Sequence, residues 1–99
     1  MKKIQRYVDL MDEEIESAKE YAECYLSYKA KSEVLWANRY REMAEDELKH
    51  AMYIHEKATM DIDELSRVFT PPVEMQEKWD ESHKKYVEKV AWIKQMLSM

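Results

Sequence analysis

Glycine is absent from all 99 residues of this chain, and its only two prolines are neighbours, Pro71 and Pro72. Tight turns depend on glycine for positive φ and on proline for a pre-set φ, so a chain nearly lacking both can reverse direction only rarely. The residues that abound instead are Glu, Lys, Ala, Met and Leu, which lose little on entering a helix. An all-α single domain spanning residues 1–99, with long helices and few breaks, is therefore expected.

Apolar positions at three- and four-residue spacing outline three helices. The first is expected from about Ile4 to about Ala30, with Tyr7, Val8, Met11, Ile15, Ala18, Tyr21, Ala22 and Tyr25 in its stripe. In "KAKSEV", Lys29 and Lys31 suit a helix C-terminus and Ser32 is expected to cap the next helix. That second helix should run from about Glu33 to about Ala58, antiparallel to the first because the break is so short. "ATMDIDELSRVF" has room for a short extra turn before "TPP", where Thr70 is the expected N-cap and proline is tolerated in the first helical turn.

The third helix, about Pro71 to Leu97, carries Trp79, His83, Tyr86, Val90, Ile93 and Leu97 at alternating spacings of four and three, a seam for packing along another helix. Helices of roughly 26 residues are about 40 Å long. A hairpin alone cannot cover its apolar face over that length. Either the third helix folds back, or a second chain completes a four-helix bundle, or both. A homodimer or a larger even-numbered homo-oligomer is the expectation.

The formal net charge of −5 argues against nucleic acid as a partner, since that needs a basic stripe, and mildly favours cations. The single cysteine, Cys24, has no internal disulfide partner and reads as a packing residue, which points to a reducing cytoplasm. No apolar run approaches a membrane span, and the start "MKKIQRYVDLMDEE" lacks the apolar core of a signal peptide.

One feature of the helical projection is discordant. At 100° per residue, Tyr7, Met11, Ala18, Tyr21, Tyr25 and Tyr28 all fall within about 60° of Glu14, while every other acid of the first helix lies about 100° or more away. In the second helix, Trp36, Tyr40, Met43, Ala51, Ile54 and Ala58 lie within about 40° of Glu47, and its other acids point elsewhere. His50 and His55 flank Glu47 on opposite edges of that arc. An unpaired carboxylate on an apolar face costs several kcal/mol, and two facing each other also repel. A divalent cation relieves both penalties. Glu47 and His50, at i and i+3, offer an oxygen and a nitrogen side by side, and Glu14 can bridge from the neighbouring helix. Mixed carboxylate and imidazole ligation suits iron or manganese, whereas structural zinc prefers thiolates. Di-iron sites in helical bundles take one Glu from each of two helices and a Glu-x-x-His from each of the other two. This chain supplies half of that set, and a two-fold pair of chains supplies all of it.

"EEIESAKEY" followed by "AEDELKHA" resembles the ferritin-like superfamily, closest to rubrerythrin-type proteins and small encapsulated ferritins, whose subunits hold half a site and complete it by dimerising. In those families an aromatic residue follows the inward Glu by seven positions, as Tyr21 follows Glu14 here. The resemblance covers about residues 10–58. It implies a ferritin-like hairpin and a ferroxidase-type oxidation of Fe(II) by oxygen or peroxide, with two irons per dimer held by Glu14, Glu47 and His50. Manganese or zinc binding without turnover is the alternative within that class. The C-terminal "AWIKQMLSM" lacks the glycine-containing tail associated with cargo loaded into a shell, which counts against encapsulation.

Tyr21, Asp46, His55 and His83 are candidates for orienting the ligands, although core packing for Tyr21 and His83 and a solvated face for Asp46 are the plainer roles. The rival to the metal reading is a non-enzymatic helical oligomerisation module, in which the inward Glu residues set register between chains.

Overall fold

The computed structural model describes residues 2–99, which form three α-helices: α1 (Lys2–Ala30), α2 (Val34–Val68) and α3 (Val73–Ser98). They run up, down and up, and α3 folds back along the hairpin of its own chain. Near the α1–α2 turn, Ala22, Tyr25, Ala37, Leu48, Ile93 and Leu97 make one core. Toward the other end, Ile4, Val8, Met11, Ile62, Met75 and Trp79 make a second, and Tyr86 packs on both. The outcome is a rod of 55 × 18 × 16 Å, whose long axis matches a 35-residue α2 at about 1.5 Å per residue. No helix among the described residues is long and apolar enough to cross a membrane.

The hairpin closes on small side chains. Ala37, Ala44, Ala51 and Ala58 recur every seven residues on α2 and are all buried, as are Ala18 and Ala22 on α1. Separation of packed helices is set by the side chains at the contact, so alanine brings the axes close. α1 packs tightly on both other helices, whereas the backbones of α2 and α3 stay apart and meet through long side chains. The buried face of α3 includes Met75, Ser82 and Met96 beside the expected Trp79, Ile93 and Leu97, while His83 is exposed. The third helix is thus turned slightly from its sequence seam.

Three expected boundaries are corrected. Ser32 does not cap α2; it adopts φ 61°, and the backbone N–H groups of Ser32 and Glu33 donate to the carbonyls of Lys29 and Tyr28. That pair of bonds is a Schellman ending for α1, in which glycine normally takes the left-handed position. Nor does Thr70 cap α3, which starts after Pro72, with both prolines outside the helix. α2 does not stop near Ala58 but continues to Val68.

Two observations explain the longer α2. Thr59 Oγ1 and Ser66 Oγ bond back to the carbonyls of His55 and Ile62, so these hydroxyls sit within the helix instead of breaking it. Asp61 is buried, accepts a hydrogen bond from the Tyr7 hydroxyl, and pairs with Lys57 and Lys3 at 3.1 and 3.2 Å. The Tyr7 hydrogen bond, followed by Lys57 and Lys3, holds the Asp61 carboxyl down at about 2.

Two consequences can be measured. A non-glycine residue in the left-handed region costs about 1–2 kcal/mol, of which the freer unfolded chain of a glycine variant takes back about 0.5–1. Ser32→Gly should therefore stabilise the fold by about 0.5–1 kcal/mol and raise Tm by several degrees. Because Asp61 titrates below its unfolded value of 3.8, its contribution is present above that pH and lost as pH falls through about 2. Asp61→Asn should lower the urea midpoint at pH 7, and the gap from the parent should shrink steadily on acidification below pH 4.

Candidate metal centre

The seam between α1 and α2 is built in layers. At the turn end, Tyr28 stacks on Tyr40 with ring centroids 5.3 Å apart, and Tyr21 lies 6.2 Å from the same Tyr40. At the far end is the Tyr7–Asp61 pair. Between them, Glu14 from α1 meets Glu47 and His50 from α2. One ligand atom from each of these three lies within 4.8 Å of the others, and no other His, Cys, Asp or Glu trio does so among the described residues.

Geometry and charge are mutually consistent there. His50 Nδ1 is 3.5 Å from Glu14 Oε2 and 3.8 Å from Glu47 Oε1, so one imidazole edge faces both carboxylates. The Glu47 carboxyl is pushed up, first by a hydrogen bond shared with Glu14, then by burial and by the Glu14 charge; His50 opposes the rise. A carboxyl raised by a neighbouring carboxylate marks a site whose negative charge lacks sufficient compensation. A cation can supply that compensation. Oxygen and imidazole donors fit iron or manganese, and nothing in the set favours a thiolate-loving ion.

By helical periodicity both carboxylates fall inside an apolar arc, whereas in the structure they lie at its rim. Glu14 and Glu47 side chains are 27% and 22% exposed, and that of His50 is 53% exposed. Trp36 and Met43, counted in the same arc, are 52% and 40% exposed. The reason is α3: it occupies the opposite side of the hairpin, so the buried centre of α2 falls on Ala37, Ala44, Leu48 and Ala51, and the Glu47 side of the arc is open.

Of the remaining candidates, none bonds to the trio. Tyr21 packs against Tyr40 and Asp46 is exposed, its charge being the smallest of the influences that raise Glu47. His55 and His83 are elsewhere altogether, at the α2–α3 contact. His55 stacks on Tyr86 at 4.4 Å and on Trp79 at 5.4 Å, and its Nε2 is 2.7 Å from His83 Nδ1. The Tyr7–Asp61 pair is not among the residues expected from the sequence, although its signal is there: Tyr7 is seven residues before Glu14, and Asp61 is fourteen after Glu47.

No protein-family model matches this chain, and comparison with curated proteins and with solved structures finds no match.

Burial, and then the neighbouring His83, depress the His55 pKa below 6.5. A histidine held neutral in the fold contributes stability that is complete above the unfolded pKa and is lost as pH falls below it. Urea midpoints should therefore drop between pH 8 and pH 5 more steeply in the parent than in His55→Gln, with most of the difference appearing below about pH 6.5.

Proposed function

We propose that this chain is half of a ferritin-like, carboxylate-bridged two-metal protein, completed by a second copy across the open α1–α2 face, and that it oxidises Fe(II) with oxygen or peroxide. The observation that carries this reading is the convergence of Glu14, Glu47 and His50 from two helices, with an excess of negative charge, on the face that also bears exposed Trp36 and Met43. In this reading Glu47 and His50 hold one ion from adjacent turns of α2, and Glu14 reaches it from α1. The partner's equivalent trio does the same for the second ion, giving the four carboxylates and two imidazoles of a bundle di-iron site. Burying the face would strip water from the carboxylates and make their attraction for a cation stronger. Iron is the substrate here, and the metal pair when bound supplies the two electrons that reduce oxygen or peroxide. Manganese fits the same donors as a redox-silent occupant.

A purely structural reading has one observation in its favour: His50 Nδ1 lies 3.5 and 3.8 Å from the two carboxylates and eases part of their repulsion without any ion. The two readings separate in an aerobic Fe(II) titration followed by ultraviolet absorbance against a protein-free control. The metal reading expects a fast phase that saturates near about one iron per chain and is lost in Glu47→Ala. It also expects Mn(II) at about 100 times its Kd to stabilise the parent by about 2.7 kcal/mol, raising Tm on the order of 10 °C, and to leave Glu47→Ala unmoved. Absorbance growth no faster than the control, together with an Mn(II)-independent Tm, would falsify it. Register-setting carboxylates would then be the better account, and Glu47→Leu should stabilise the assembly.

A further inference from the structure

Because α2 and α3 meet only through long side chains, a groove of about 390 Å³ remains between them on the side away from Glu47 and His50. Its floor is apolar: Leu48, Met52, Tyr86, Val90 and Leu97. Its charges are unevenly placed. The helices are antiparallel, so Arg41 and Glu45 face Lys94 at the end near the α1–α2 turn, and Met52 faces Tyr86 at the other. Arg41 is paired with Glu45 at 2.9 Å, while Lys49 and Lys94 join no ion pair among the described residues. Three cations and one acid therefore rim the groove, a local excess of positive charge on a protein of net charge −5.

At the apolar end, Tyr86 stacks on His55, whose Nε2 meets His83 Nδ1, so that aromatic side chains bridge α2 and α3 beside the groove. From Arg41 to Met52 the floor is about 16 Å long at 1.5 Å per residue, and a helix about 10 Å across over that length fills roughly 1,300 Å³. The groove is about a third of that. A helix laid there would stand mostly outside it, whereas the groove falls within the range of small-molecule sites, roughly 300–1,000 Å³.

From this shape and polarity we infer that the α2–α3 groove binds a free, single-chain anionic amphiphile of the fatty-carboxylate class. Its headgroup sits at Lys94 and Arg41, and its chain lies over Leu48 and Val90 toward Tyr86. The proposal is independent of the metal reading, because none of the groove residues belongs to the Glu14, Glu47 and His50 set.

The test is calorimetric titration with dodecanoate below its micelle concentration, with decanoate, dodecanol and dodecyltrimethylammonium as comparisons. One site is expected, with dodecanoate binding about tenfold tighter than decanoate for its two extra methylenes. Lys94→Glu should weaken dodecanoate at least fivefold and leave dodecanol unchanged. Met52→Glu, at a residue already 47% exposed and so compatible with folding, should weaken both. Equal affinity for the cationic amphiphile, or dodecanoate binding indifferent to Met52→Glu, would overturn the proposal. So would two other results: association with anionic vesicles without binding of dodecanoate monomers, or a smaller oligomer in Met52→Glu with no dodecanoate site in the parent.

Discussion

The close approach of α1 and α2 over a ladder of alanines is the constraint from which the other features descend. Ala37, Ala44, Ala51 and Ala58 occupy one line on α2 at seven-residue intervals, and Ala18 and Ala22 answer from α1. With so little side-chain volume between the axes, flanking residues of the two helices come within bonding reach. Tyr28 can stack on Tyr40, Tyr7 can reach Asp61, and Glu14 can approach Glu47. Larger residues in the ladder would push the axes apart and separate all three pairs together. The polar seam is a product of the packing beneath it, and its chemistry depends on residues that carry none.

A second consequence concerns α3. Because the alanine ladder lets α1 and α2 bury each other closely, the larger apolar side chains of α1, Ile4, Val8, Met11 and Ile15, are left to be covered by something else. Trp79, Met75, Ile93 and Leu97 of α3 cover them. This settles which side of the hairpin is filled within one chain. The other side keeps Trp36, Met43 and His50 in contact with water. Aromatic and thioether groups exposed along one helix edge mark a surface that gains by being covered.

Much of this architecture is legible in the sequence. The three helices, the hairpin and the trio Glu14, Glu47 and His50 all follow from periodicity, because a 3.6-residue repeat over more than twenty residues leaves little freedom in which side chains share a face. The end of α2 is less legible. Thr59, Ser66 and the acids of "MDIDELS" resemble punctuation, and only the back-bonds to His55 and Ile62 and the partners of Asp61 make them helical. Ser32 misleads for a similar reason: serine suits an N-cap by preference, and only the lack of glycine presses it into a left-handed ending. The split of the apolar arc into a filled side and an open side cannot be read from one helix at all. It depends on where α3 lies, and α3 has apolar residues on more than one face.

The molecule also has two cores rather than one. Ile15, Ala18, Ala51 and Leu48 belong to the first; Val8, Met11, Ala58 and Ile62 belong to the second, and Tyr86 spans the gap between them. Glu14 stands between Met11 and Ile15, and Glu47 and His50 fall in the turn just before Ala51, the last alanine of the first core. The trio thus lies at the joint of two halves that share continuous helices but little common packing. Regions with separate cores can open with separate free energies, each protecting its own amides from exchange. Anything that bonds both helices at the joint would make the two halves open as one, so that the cooperativity of the whole rod, and not only local order, would report its presence.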